Sequence, residues 1–232
     1  SARFAYNNLL PVIVAQNASY NEILYKSFDQ KEDMNISNSY KTAHSGVNSF
    51  KHNENPNFEY VDASSDKIFL TQNLLDKGIK VSVWLKSDFT NLDNNLPSLN
   101  LNDGKINKIF RKVTVVDDWA LLEVNISSDE LNSSSMDLLD AIKAQIVYDS
   151  SPGEKVFVDD FRFSPVDAIV SCSVYDYVDF RLLTSFDSNH FGTFYQYDNE
   201  GQLVRNIIET ERGKATLKET QYNIPTLKQR PQ

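Results

Sequence analysis

Apolar residues recur along this chain at short, alternating intervals more than at helical spacing. "LPVIVAQNA" is an apolar run closed by polar residues. In "NEILYKSFD", Ile23, Tyr25 and Ser27 fall on one face while Leu24 and Lys26 fall on the other. "HSGVNSFKH" predicts a turn at Gly46 and a short strand through Phe50. Further strands are predicted in "KIFLTQN", "GIKVSVWLKSD", "KIFRKVTVVDDWALLEVNIS", "AIKAQIVYDS" and "KVFVDDFRFSP". Gly, Pro, Asn, Asp or Ser separates these segments, which is the sequence form of an antiparallel sandwich. Helical character is confined to "SSDELNSSSMDLLDAIK", where Asp129 and Glu130 suit a first turn and Leu138, Leu139 and Ile142 share an apolar face. The expectation there is a loop with a turn or two of helix. Pro165 is expected to end the last sandwich strand, because a proline cannot donate to a central ladder.

From Tyr175 to Arg205 the chain reads "YDYVDFRLLTSFDSNHFGTFYQYDNEGQLVR", a phrase stated twice. Its logic is that of a hairpin: Asn, Asp and Gly supply the turn dihedrals, while Tyr and Leu pack against the neighbouring hairpin. Such units do not bury a face alone and usually need about three or more copies for stability. Two at most are visible here, so the tract must lean on the sandwich or on another chain.

Composition narrows the function classes. Hydrophobic residues make up 41% of the 232, enough for a packed core. A net charge of −9 argues against nucleic acid and against anionic membranes, which need basic surface. The longest apolar stretch, Leu9 to Ala15, is broken by Pro11 and too short to span a bilayer. Cys172 is alone, so no internal disulfide is expected. The opening Ser1-Ala2-Arg3-Phe4 lacks the basic-then-apolar pattern of a secretory leader, as a fragment of a longer chain would.

A series of landmarks then carries a resemblance. Phe28-Asp29, "AHSGVNSFK" (Ala43 to Lys51), "VSVWLKSD" (Val81 to Asp88), "DDWALLEVNI" (Asp117 to Ile126) and "VFVDDFRFSP" (Val156 to Pro165) occur in order. Their order resembles the galactose-binding-like jelly roll of carbohydrate-binding modules, over residues 17–165. Tyr175, Asp176, Arg181, Leu182, Asp187, Tyr195, Tyr197, Asp198, Gly201 and Leu203 resemble YD repeats of the Rhs type, with Phe180 where Gly is usual. "ETERGKATLKET", Glu209 to Thr220, is similar to the ending of short YD tracts in large exported proteins of Gram-negative bacteria. The implied organisation is a junction from a preceding domain at 1–16, the all-β sandwich at 17–165, YD-type hairpins at 166–222 and a tail at 223–232. The implied location is secreted or at the cell surface, associated with the outer membrane. The implied partners are other domains of one long polypeptide, surface subunits, or glycan.

The same resemblance implies a structural calcium, with Asp29 near the first strand and Asp160 or Asp159 on the last as ligands. Trp84 and Trp119 offer rings that stack on sugars. Trp84 shares a face with Ser82 and Lys86, which reads as a wet surface, whereas Trp119 reads as core. Tyr40, Phe58 and Tyr60 are expected on rim loops as alternative sugar contacts. Catalysis has little to stand on. His44, His52 and His190 lie apart without metal-ligand spacing, Cys172 has no basic neighbour, and no nucleophile elbow, P-loop or His-Glu-x-x-His motif occurs. Three readings stay open: a non-catalytic structural or docking module, a dedicated glycan binder and, last, a glycoside-acting enzyme with converging carboxylates.

Overall fold

The computed structural model describes residues 1–29, 39–40, 42–52, 56–87, 89–150 and 153–222, with the backbone alone at 39–40 and 89–91. Strand accounts for 49% of the residues and helix for 11%, so the class is all-β.

An N-terminal hairpin of β1 (Ala2–Ala5) and β2 (Leu10–Gln16) comes first. The sandwich strands follow: β3 (Leu24–Lys26), β4 (Ser39–Tyr40), β5 (Ser49–Lys51), β6 (Glu59–Val61) and β7 (Ile79–Lys86). Next come β8 (Ser98–Leu101), β9 (Ile106–Ile109), β10 (Arg111–Val116), β11 (Trp119–Ile126), β12 (Ala144–Val147) and β13 (Phe157–Pro165). A sheet ordered β10-β11-β7-β13-β5-β4, with β3 also on β13, faces a sheet ordered β6-β12-β8-β9. Val81, Val83, Leu85, Leu122, Phe161 and Phe163 from the first meet Tyr60, Leu99, Leu101 and Ile146 from the second in one buried core. As expected, β13 stops at Pro165, and it is buried along its whole length because it sits mid-sheet.

The third layer is made from both ends of the chain. β14 (Ile169–Tyr175), β15 (Leu182–Phe186), β16 (Gly192–Tyr197), β17 (Leu203–Thr210) and β18 (Gly213–Glu219) run as successive antiparallel hairpins. β2 adds alongside β14, with Gln16 opposite Ile169 and Ile13 opposite Cys172. Residues 1–16, read from sequence as a junction, are thus two strands of the same seven-stranded sheet as the hairpin tract. Val12, Ile13, Ala15, Val170, Cys172, Val174 and Phe186 pack from this sheet against Ile23 and Tyr25. The short tract leans on the sandwich and borrows two strands from the N-terminus.

Two expectations about local structure need correction. α3 (Ser128–Ser133) forms where expected, closed by a Ser127–Glu130 capping box, but Leu138 and Leu139 lie beyond it and are exposed. "KIFLTQN" is mostly not strand. It makes one isolated bridge, Phe69 to Ala141, and its end opens α1 (Gln72–Lys77). Thr71 caps that helix by accepting from the Leu74 amide, and Gly78, at φ +87°, closes it. α2 (Phe89–Asn94) was likewise not anticipated. The 223–232 tail lies outside the described residues.

Candidate functional site: a buried polar seam

Strand alternation sends Val81, Val83 and Leu85 of β7 into the core and turns Ser82 and Trp84 the other way. The hairpin sheet covers that second face. On β13, Asp159 lies opposite Trp84 and Arg162 opposite Ser82, so Asp160 and Phe161 share one partner position, Val83. This is a β-bulge, and Asp160 takes a φ of +51° within it. Asp159 Oδ2 accepts from the amides of His44 (2.8 Å) and Ser45 (3.3 Å). Asp160 accepts from the Tyr25 hydroxyl and from Ser45 Oγ at 2.7 Å.

His44 joins the layers. Its Nδ1 lies 2.8 Å from Asp160 Oδ2 on the sandwich, and its Nε2 lies 3.0 Å from Glu209 Oε1 on β17. Glu209 Oε2 accepts in turn from the Gly192 amide at 3.1 Å. The imidazole stacks on Trp84, centroids 3.9 Å apart and planes 15° off parallel. Phe186 and Phe194 close over it from the hairpin sheet. Nearby, His190 in the β15–β16 turn places Nδ1 2.9 Å from Ser82 Oγ, while its carbonyl accepts from Trp84 Nε1 at 3.2 Å. Arg162 Nη1 donates to the Asp187 carbonyl at 3.0 Å. The seam is closed: His44, Asp159, Asp160, Arg162, His190 and Glu209 are each no more than 4% exposed.

Burial sets the charge states. It pushes His44 down, but its hydrogen bonds to Asp160 and then Glu209 outweigh that and hold the imidazole above its ordinary value. His190 lies well below its ordinary value through burial, with the charges of Arg162 and His44 adding to the effect. Burial, then the Asp160 charge, lifts Asp159 well above the carboxylate range. Burial also lifts the Cys172 thiol to about 11, so it is no nucleophile near neutrality. These groups are buried, and His44, Arg162 and His190 each bond across the layers.

The expected sugar contacts fall elsewhere than expected. Trp84 is not on a wet face, because β15, β16 and the turn between them cover it to 0% exposure. Tyr60 is not on a rim loop either. It sits on β6 inside the core, with its hydroxyl 3.1 Å from His52 Nδ1. Trp119 is core, as expected, and Phe58 is half-buried against Phe28, Phe50 and Tyr60 of the main core. Tyr40 contributes backbone to β4, and its side chain lies outside the described residues.

The calcium trio fares differently. The three come close enough that Asp160 raises the proton affinity of Asp29, and Asp160 and Asp29 raise that of Asp159. However, both oxygens of Asp159 and of Asp160 already accept from protein donors. Asp29 Oδ1 accepts from the amides of Val47 and Asn48, and only Oδ2 lacks a partner. Calcium takes six to eight oxygens at roughly 2.3–2.6 Å. One free oxygen does not make that cage, and among the described residues no group of three or more His, Cys, Asp or Glu is set to hold a metal. Burial lifts Asp29 to about 8, so its carboxyl carries a proton near neutrality.

The repeat-motif residues organise turns. Asp176, Asp187 and Asp198 recur at every eleventh position, and each caps a turn with its own carboxylate. Asp176 accepts from the Val178 and Asp179 amides, Asp187 from Asn189 and Phe191, Asp198 from Glu200 and Gln202. Each turn holds one left-handed residue: Phe180 at +59°, His190 at +69°, Gly201 at +83°. Tyr195 bonds Ser185, Tyr197 bonds the Leu182 carbonyl with Arg181 over its ring, and Tyr175 approaches the Pro11 carbonyl. Sequence reasoning gave no site role to His44, His190, Glu209 or Arg162. A signal existed in His190, which occupies the turn position that Gly201 fills one unit later.

A scan against protein-family models finds no match for the chain, and a search of the curated proteins finds no relative. The reading of function therefore rests on fold and geometry.

Proposed function

We propose that the chain is a non-catalytic module with a structural, docking role in a larger exported protein of a Gram-negative bacterium, secreted or held at the cell surface. In this reading a galactose-binding-like jelly roll over residues 17–165 is the platform, and a YD-type hairpin tract over 166–222 is seated on it. The observation that carries the reading is the seam. His44 bridges carboxylates of two different sheets with both of its ring nitrogens, so this buried polar cluster is spent on fixing the layers to each other. The tract also leaves surface for a partner. Six of the seven residues of β18 are exposed, Leu217 at 66%.

Cross-linking of the native polypeptide tests this. Lysines of β18, Lys214 and Lys218, are expected to link to other domains or to surface subunits. Links confined to this chain, or turnover of a glycoside by the isolated module, would overturn the reading.

A second reading, glycan contact, is favoured by one specific feature. A cleft of about 450 Å³ lies where the N-terminal hairpin meets β3 and β6, lined by Arg3, Tyr20, Lys26, Phe58, Glu59 and Asp66 among others. Tyr20 is 52% exposed, with the Arg3 guanidinium 4.4 Å from its ring centre, and Lys26 is held by Asp66 at 2.9 Å. An accessible ring beside fixed donors and acceptors suits a neutral sugar. Binding on a glycan array that Tyr20→Ala abolishes would favour this reading; uniform silence would end it.

A further inference from the structure

We propose that the seam holds one proton shared among His44, Asp160 and Glu209, and that the hairpin sheet stays seated on the sandwich only while that proton is held. The inference rests on the docking reading above and supplies its regulation.

Each ring nitrogen of His44 lies at hydrogen-bond distance from a carboxylate oxygen, 2.8 Å to Asp160 and 3.0 Å to Glu209. A neutral imidazole offers one N–H and one lone pair. One of the two contacts would then set a lone pair against a carboxylate, unless a further proton sits on the ring or on that carboxylate. Whichever atom carries it, the trio keeps a net charge of −1. The same groups in an unfolded chain above about pH 6.5 would carry −2. All three side chains are fully buried, so water cannot stand in for the missing hydrogen.

The surroundings reinforce the demand. Facing the trio from the sandwich are Asp159 and Arg162 on β13, Tyr25 on β3, Ser45, and Trp84 on β7. From the hairpin sheet come Cys172 and His190, while Lys214 lies over the Phe194 ring at 4.4 Å and pairs with Asp117. Tyr25 and Ser45 spend their hydroxyl hydrogens on Asp160, so neither can satisfy His44. Glu209 and His44 lie on different sheets, and loss of the proton therefore sets repulsion between the layers. The folded trio binds its proton more tightly than free histidine does. Its stabilisation is complete below about pH 6.5 and is lost as pH rises through the higher folded value. Asp29, lifted to about 8, titrates in the same window from the sandwich loop and needs a control.

The chain carries its own reporter. Its two tryptophans, Trp84 and Trp119, are both buried in the cluster under the hairpin sheet. Emission followed from about pH 6 to about pH 10 is expected to move to longer wavelength in one step, while amides of β7 and β11 keep their exchange protection. His44→Gln removes the step, and Asp29→Asn retains it. Glu209→Gln lowers its midpoint by about one pH unit, because one carboxylate facing the ring is gone. If His44→Gln does not fold by circular dichroism, Glu209→Gln alone decides. Flat emission across the range, or a step unmoved by Glu209→Gln, overturns the shared proton and leaves the docking reading standing. Solvent-exposed indole emission at every pH overturns the docking reading itself.

Discussion

The two faces of β7 meet their neighbours by different physics. Inward, Val81, Val83 and Leu85 pack among aliphatic and aromatic side chains of the facing sheet. Outward, Ser82 and Trp84 meet histidines, aspartates and an arginine between sandwich and hairpin sheet. Apolar contact scales with area and tolerates small shifts. A buried polar contact fixes position and register, and it is costly when one member is missing. The inner layer is thus built for stability, the outer for exact seating and sensitivity to protons.

The sharpest break in this contrast is Asp160→Ala. It strands the Tyr25 and Ser45 hydroxyls and one His44 nitrogen, and is expected to cost roughly 3–5 kcal/mol in denaturant unfolding at neutral pH. On the apolar face, Leu85→Ala is expected to cost about 2–5 kcal/mol. The two differ in kind: the Leu85 loss stays constant across pH, whereas the Asp160 loss shrinks as the seam's own stabilisation fades in alkali. A smaller effect is expected at Gly201, whose φ of +83° a side chain rarely adopts, while the Arg181 guanidinium tip beside it can swing aside. Gly201→Ala should cost about 1–2 kcal/mol, read as faster exchange confined to β16 and β17. At the small end, Arg205→Ala breaks an exposed pair with Glu219 on the last hairpin. It should change stability by no more than about 1 kcal/mol.

How far the sequence reaches follows the same division. Alternation in "KVSVWLK" separates the two faces of β7 correctly, and Pro165 marks the end of β13, because both depend on neighbours in the chain. The cap and stop of α1, Thr71 and Gly78, are also local, but the apolar "KIFL" before them outweighs them in a strand pattern. Trp84 is another matter. Whether its face is wet depends on pairing between β2 and β14 and on a hairpin some hundred residues later, which no local pattern encodes. Tyr60 was misplaced for a related reason, since three-residue β6 is a strand only through its pairing with β12. The repeat tract was legible as turns, but its support was not. His44 and Glu209 lie 165 positions apart and share no motif.

Native-state hydrogen exchange on Glu209→Leu tests the central claim most directly. The substitution leaves the His44 imidazole facing an alkyl group from the hairpin sheet. Amides from Gly192 to Thr210 are expected to lose protection, while those of β7, β11 and β13 keep theirs. Equal loss in both regions, or no loss in the hairpins, would contradict a sandwich that folds on its own core and seats the hairpin sheet through the buried polar seam.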